Sequence, residues 1–199
     1  NDIFNIRALA GNIDGEAGAD QFVFFDNGSV TTATGGADND VVDLSKLTSQ
    51  QTIILNGTTV KGVSSVFRII GSSTLNHTLQ ATSGANSWNI YDFDGASNLA
   101  DGINDGSVAG IEFTDFSILR GGSGDDTFTI GQSGSINTID GGLGTNILIG
   151  RNSSNIWSVT GENSGILAAT NGSVYVSTFN RIQHLTGGSG DDQFVFNSV

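Results

Sequence analysis

The amino-acid sequence predicts an all-β fold, specifically a parallel β-solenoid with coils of about 20 residues. Three observations predict it. Glycine-aspartate strings of one pattern recur along the chain, two pairs of them start 20 residues apart, and the segments between them alternate apolar with polar residues. That alternation, bounded by Gly, Asn and Asp, marks half-buried strands of about 4–6 residues. It is clearest at Phe22 and Phe24, Ile53 and Leu55, Phe128 and Ile130, Ile147 and Ile149, Val174 and Val176, and Phe194 and Phe196. No segment carries a helical stripe; the nearest candidate, Val41 to Gln51, is short and interrupted by Asp43 and several Ser and Thr. A globular β-sandwich is the alternative. It accounts for the strands but not for turns that return at fixed spacing.

The elements follow in order. Asn1 to Ile6 (NDIFNI) aligns with Asp125 to Ile130 (DDTFTI), so the chain is expected to be a slice of a longer array, 1–199 forming one solenoid segment. Gly15 to Val23 (GEAGADQFV) and Gly35 to Asp43 (GGADNDVVD) are weak copies of a nonapeptide G-G-x-G-x-D-x-U-x, where U is a large apolar residue. Glu16 replaces the second glycine of one, and Asp38 the third of the other. Leu44 to Ile70 has less symmetry and is expected to form coils of irregular sequence. A decayed copy begins at Gly71 (GSSTLNHTL). Gly121 to Thr129 (GGSGDDTFT) and Gly187 to Val195 (GGSGDDQFV) fit every fixed position, and Gly141 to Ile149 (GGLGTNILI) carries Asn146 in place of the aspartate. Longer units surround these strings, at about 15–70, 71–120, 121–186 and a partial 187–199. Asn86, Trp88, Gly106, Ser107, Val108 and Phe116 lead to Gly121 as Asn155, Trp157, Gly172, Ser173, Val174 and Phe179 lead to Gly187. Trp88 and Trp157 are expected in the core. Roughly ten coils at ~4.8 Å each would make a rod on the order of 45–50 Å long.

Composition narrows the function classes. With 20 acidic residues against 7 basic ones the net charge is −13, which repels nucleic-acid phosphates and anionic lipid, so neither is an expected partner. The same field attracts divalent cations. Seventeen of the acids are aspartate, many beside glycine, as turn chemistry favours. Cysteine is absent, excluding disulfides and thiolate metal sites. No run of 18 apolar residues suggests membrane insertion. Asn-x-Ser/Thr sequons begin at Asn27, Asn56, Asn76, Asn152 and Asn171, about the number that chance gives in so Asn-, Ser- and Thr-rich a chain.

The nonapeptides resemble the repeats-in-toxin (haemolysin-type) calcium-binding family, and the wider texture is similar to large repetitive, filamentous-haemagglutinin-like bacterial surface proteins. The resemblance implies calcium held by glycine-loop carbonyls and sixth-position aspartates between stacked turns. Carried onto this chain, it implies a site of Gly121, Gly122, Gly124 and Asp126 and one of Gly187, Gly188, Gly190 and Asp192, with Asp20 and Asp40 in the weaker copies. The family's repeats run in tandem every nine residues, whereas these lie 20 or more apart. Calcium could therefore bridge only a single row of loops at one corner, 15 with 35 or 121 with 141. A further acidic group, Asp92, Asp94, Asp101 and Asp105, lacks the spacing of an EF-hand and is expected to be a solvated loop.

The expected function is structural, a rigid segment of an exported bacterial fibre or adhesin, extracellular or on the cell surface. Its partners are then neighbouring repeats or copies of itself end to end, and a cell-surface glycan or protein. The alternative is a parallel β-helix enzyme or binding module for polysaccharide. Such an enzyme needs carboxylates paired across coils, with Arg120 and His184, each within three residues of a motif, as the side chains to inspect.

Overall fold

A computed structural model describes residues 1–91 and 104–197. The described residues are all β, in two large mixed sheets and without a helix. The chain passes alternately through the two sheets. The first circuits are β1 (Ile3–Ile6) with β2 (Leu9–Asp14) and β3 (Gln21–Phe24) with β4 (Ser29–Thr34), the odd strands in the first sheet and the even in the second. β5 (Asp40–Asp43) returns to the first sheet, and β6 (Thr52–Asn56), β7 (Thr59–Val60) and β8 (Val63–Ser64) form an antiparallel meander in the second. β9 (Val66–Ile70) and β10 (Thr78–Gln80) make the next circuit. A second meander, β11 (Ser87–Ile90), β12 (Gly106–Val108) and β13 (Ile111–Thr114), lies in the first sheet. β14 (Ile118–Arg120), β15 (Thr127–Ile130), β16 (Ile136–Asp140) and β17 (Ile147–Ile149) alternate again. The third meander, β18 (Asn155–Gly161), β19 (Ser164–Ala169) and β20 (Val174–Asn180), returns to the second sheet, before β21 (His184–Thr186) and β22 (Gln193–Phe196).

Wherever no meander intervenes, neighbouring circuits pair in parallel, most of them exactly 20 residues apart. Leu9 lies beside Ser29, Gln21 beside Val41, Ile118 beside Thr138 and Thr127 beside Ile147. The parallel expectation is corrected at the three meanders, which make the sheets mixed. Each meander is built the same way: its third strand pairs in parallel with the circuit before, and its first with the circuit after. Leu44 to Ile70, expected as irregular coils, holds the first of them. Two-residue turns close several of these hairpins, and both residues have positive φ at Lys61-Gly62 and Ala109-Gly110, as the favoured hairpin twist requires.

The meanders alternate between the sheets, so their extra height is shared. Ten strands stand in the first sheet and twelve in the second, but with each meander counted as one passage the two become equal. At ~4.8 Å per strand the sheets rise about 45–55 Å. One continuous buried cluster draws side chains from both of them. Phe4, Phe22, Val42, Ile69 and Phe113 fill one register column of the first sheet, and beyond the meander a second column holds Trp88, Phe128, Leu148 and Leu185. In the second sheet Ile53, Leu79, Leu119, Ile139 and Phe179 do the same. Aromatic rings stack between circuits, Trp88 on Phe128 and Trp157 on Phe194, both with centroids 5.6 Å apart. Each such pair adds about 0.5–1.5 kcal/mol beyond the area it buries.

Truncating Trp88 to Ala should cost about 3–5 kcal/mol in urea denaturation, because its side chain is wholly enclosed. Leu143→Ala, at a side chain 69 % exposed, should change stability by less than about 0.5 kcal/mol. Equal losses at the two positions would contradict this core.

Candidate cation-binding corners

Two sets of loops join the sheets. Those starting at Gly15, Gly35, Gly121 and Gly141 lead into the first sheet, whereas Gly71 and Gly187 lead into the second. The single row of loops is thus corrected to two corners. The two strongest motifs lie at different corners and do not stack on each other. The unit running from Asn86 to Gly121 recurs from Asn155 to Gly187 displaced by half a circuit, so its meander faces the opposite sheet.

The corners that begin at Gly35, Gly121, Gly141 and Gly187 share one fold, with a left-handed second residue, φ being 99° at Gly36, 114° at Gly122, 81° at Gly142 and 106° at Gly188; Ser72, second in the Gly71 corner, is not left-handed. Glu16 occupies that position with φ 64°, a conformation that costs a side chain roughly 1–2 kcal/mol. The first residue must lack a side chain for another reason. A Cβ on Gly121 would collide with Asp126 Oδ2 and with the Gly141 carbonyl, because the sixth-position aspartate folds back over that glycine. Gly15 over Asp20, Gly35 over Asp40 and Gly187 over Asp192 repeat the arrangement.

The sixth-position side chain points into the protein and serves its neighbour. Asp20 Oδ1 accepts the Asp2 N–H at 2.6 Å, and Asp40 Oδ1 accepts the Asp20 N–H at 2.9 Å. Farther along, Asp126 Oδ1 accepts the Asn86 N–H at 2.8 Å, Asn146 Oδ1 that of Asp126 at 2.9 Å, and Gln183 Oε1 that of Asn146 at 2.7 Å. At the second corner Asp192 Oδ1 accepts the Asn155 N–H at 2.9 Å. These bonds show two motif copies absent from the sequence reading, Ala81 to Asn89 (ATSGANSWN) and Gly150 to Ser158 (GRNSSNIWS). Their signal was present: Asn six places into the string, Trp two places later.

The other carboxylate oxygen is different. Oδ2 of Asp20, Asp40 and Asp126 is buried and accepts no hydrogen bond. Burial raises the carboxyl pKa of Asp40 and of Asp126 above its ordinary value, against the lowering effect of the N–H bonds each receives. Among the described residues no three His, Asp or Glu side chains converge. At Asp20 and Asp126 a cation would meet a carboxylate oxygen and a neighbouring loop's carbonyl oxygen, donors that suit a hard ion such as calcium. The orphaned oxygens fit that ion.

Gly121, Gly122, Gly124 and Asp126 are thus brought together with Gly141 and Asn146, and Asp20 with Asp40. Gly187, Gly188, Gly190 and Asp192 meet Asn155 at the opposite corner. Asp92, Asp94 and Asp101 lie outside the described residues, while Asp105 is buried and accepts the Asp115 N–H at 3.0 Å. Trp88 and Trp157 are enclosed in the core, so neither presents a face to a sugar. Arg120 and Arg181 both hold Asp140 on the outer face of the second sheet, and His184 is exposed on β21. His77 is buried; its Nδ1 accepts the Gln51 N–H at 3.1 Å, and burial lowers its pKa.

Glu16→Gly should raise stability by about 0.5–1 kcal/mol by relieving the left-handed strain, net of glycine's extra freedom when unfolded. A loss would contradict the corner geometry. For His77 the folded pKa lies below the ordinary 6.5, so unfolding takes up a proton as the pH falls. The stability this neutral imidazole contributes is complete above 6.5 and lost as pH drops through the folded value. His77→Asn should flatten that acid-side loss in denaturation curves as the pH falls below 6.5, and an unchanged slope would assign it elsewhere. Comparison with family models, curated proteins and solved structures gives no match, so the corners are read from their own geometry.

Proposed function

We propose that this chain is a rigid β-solenoid segment of an exported bacterial fibre or adhesin, with calcium held at its aspartate corners. The observation that carries the solenoid reading is the register: circuits not separated by a meander pair in parallel, most of them 20 residues apart, and one continuous buried cluster runs through the stack. A chain wound this way gives length and stiffness for few residues, because each circuit rests only on its neighbours. The outer surface supports a life outside the cell in contact with salt and cations, with a net charge of −13 and Gly, Asn, Ser and Thr in the turns. Partners on this reading are adjoining repeats or further copies along the axis, and a surface glycan or protein.

Calcium enters as the partner of carboxylates that no side chain neutralises. Among the described residues Asp40 and Asp126 form no ion pair, and the Oδ2 of each is sealed from water. The Gly141 carbonyl lies beside Asp126 Oδ2, and the Gly35 carbonyl beside Asp20 Oδ2, oxygen donors of the kind calcium takes.

Small-angle scattering with thermal melts tests both parts. An elongated particle is expected, together with a melting temperature that rises with millimolar calcium and falls with EDTA. A spherical particle would remove the fibre reading, and a melt indifferent to both additions would remove calcium from it.

A further inference from the structure

Four asparagines stand where the motif calls for aspartate; Asn76 is exposed, and the other three show what the corner does without charge. Asn86, Asn146 and Asn155 each turn an Nδ2–H2 toward backbone carbonyls where the aspartate has Oδ2; Asn146 Oδ1 also makes the ladder contact seen for Asp126, whereas Asn155 Oδ1 is buried without a partner. Asn86 Nδ2 donates to Gly84 O at 2.9 Å and Gly121 O at 3.2 Å. Asn146 Nδ2 donates to Leu143 O at 3.3 Å and Arg181 O at 3.0 Å. Asn155 Nδ2 shares its two hydrogens among acceptors at Ser153 O (2.6 Å), Asp192 Oδ1 (2.6 Å), Gly187 O (2.7 Å) and Arg151 O (2.9 Å). In every case one acceptor belongs to the amide's own loop and another to the first residue of the next loop in the stack.

The aspartates face the same carbonyls with the wrong sign. Asp126 Oδ2 and Gly141 O crowd one point above Gly121, and Asp20 Oδ2 and Gly35 O crowd the matching point above Gly15. Two acceptors there have no hydrogen between them. Both oxygens of the pair repel unless a positive charge is shared, and Arg120 and Arg181, which flank the loops at 121 and 141, are engaged by Asp140. The Asn amide answers that demand internally.

We infer that the sixth-position residue decides which corners need an ion: Asn86, Asn146 and Asn155 lock their loops with an amide hydrogen and take no cation, whereas Asp40 and Asp126 each require a divalent cation. This rests on the calcium reading above. Asp20 shares the geometry, with the terminal amine 3.8 Å from its Oδ1. Ions are therefore interspersed with amide locks along one corner. Removing calcium should loosen the Asp40 and Asp126 loops while leaving the Asn-locked loops in place.

Thermal unfolding of the whole chain with Asp126→Asn, and separately with Asn146→Asp, tests it in EDTA and in calcium chloride. The isosteric Asp126→Asn should melt higher than the parent in EDTA and gain less from calcium. Asn146→Asp should melt lower in EDTA and gain more. A calcium gain present in the parent but unchanged in both variants would overturn this inference and leave the calcium reading standing. No calcium gain in the parent or either variant would overturn both. Should Asn146→Asp fail to fold in EDTA, its rescue by calcium supports the inference, and failure in calcium as well contradicts it; Asp126→Asn, expected to fold in either case, carries the comparison alone.

Discussion

The hydrogen bond that one loop's backbone N–H donates to the sixth-position side-chain oxygen of the loop after it is the constraint on which the rest of the molecule depends. A chain that changes direction at every sheet leaves backbone donors at each bend, and buried donors must be paired. Here the pairing is made by Asp20, Asp40, Asp126, Asn146 and Asp192, each reaching back one circuit. That reach fixes vertical spacing and lateral register together. The apolar residue two places later then falls above its counterpart, and the columns of Phe, Trp, Ile and Leu follow.

Glycine belongs to this contact as much as aspartate does. The sixth-position carboxyl can fold inward only over a first residue without a side chain, and the left-handed second residue supplies the bend. One side-chain oxygen therefore organises the loop while the other is left over. The amide of Asn makes use of that second position through hydrogen, and the carboxylate of Asp leaves it charged. Structure and the proposed ion dependence are two consequences of a single placement.

The meanders show how such a stack absorbs extra sequence. Inserting two antiparallel strands on one face adds height there, and an array with every insertion on the same face would lean. The three meanders lie in the second, first and second sheets in turn, so the sheets stay nearly level. Half-circuit displacement of the repeated unit achieves this without altering its sequence pattern.

Much of this was legible in the residues. The strands, the interval of 20 and the stacking of loop 15 with 35 and of 121 with 141 follow from period-2 alternation and glycine placement. The meanders were not read, although Asn56-Gly57, Lys61-Gly62, Ala109-Gly110 and Asn171-Gly172 are hairpin signals; attention to spacing between motifs hid them. Nor were the second corner and the Asn copies, since a pattern keyed to GG and Asp passes over Ala81-Thr82 and Gly150-Arg151. The inward aim of the aspartates lies beyond sequence altogether, because the same residue in an isolated turn would face water.

Amide hydrogen exchange followed residue by residue tests the central contact most directly. The backbone N–H groups of Asp20, Asn86, Asp126, Asn146 and Asn155 should exchange as slowly as those of the strands they precede, each being held by a neighbour's side-chain oxygen. Exchange at the rate of solvent-exposed loops at these five positions would contradict the account.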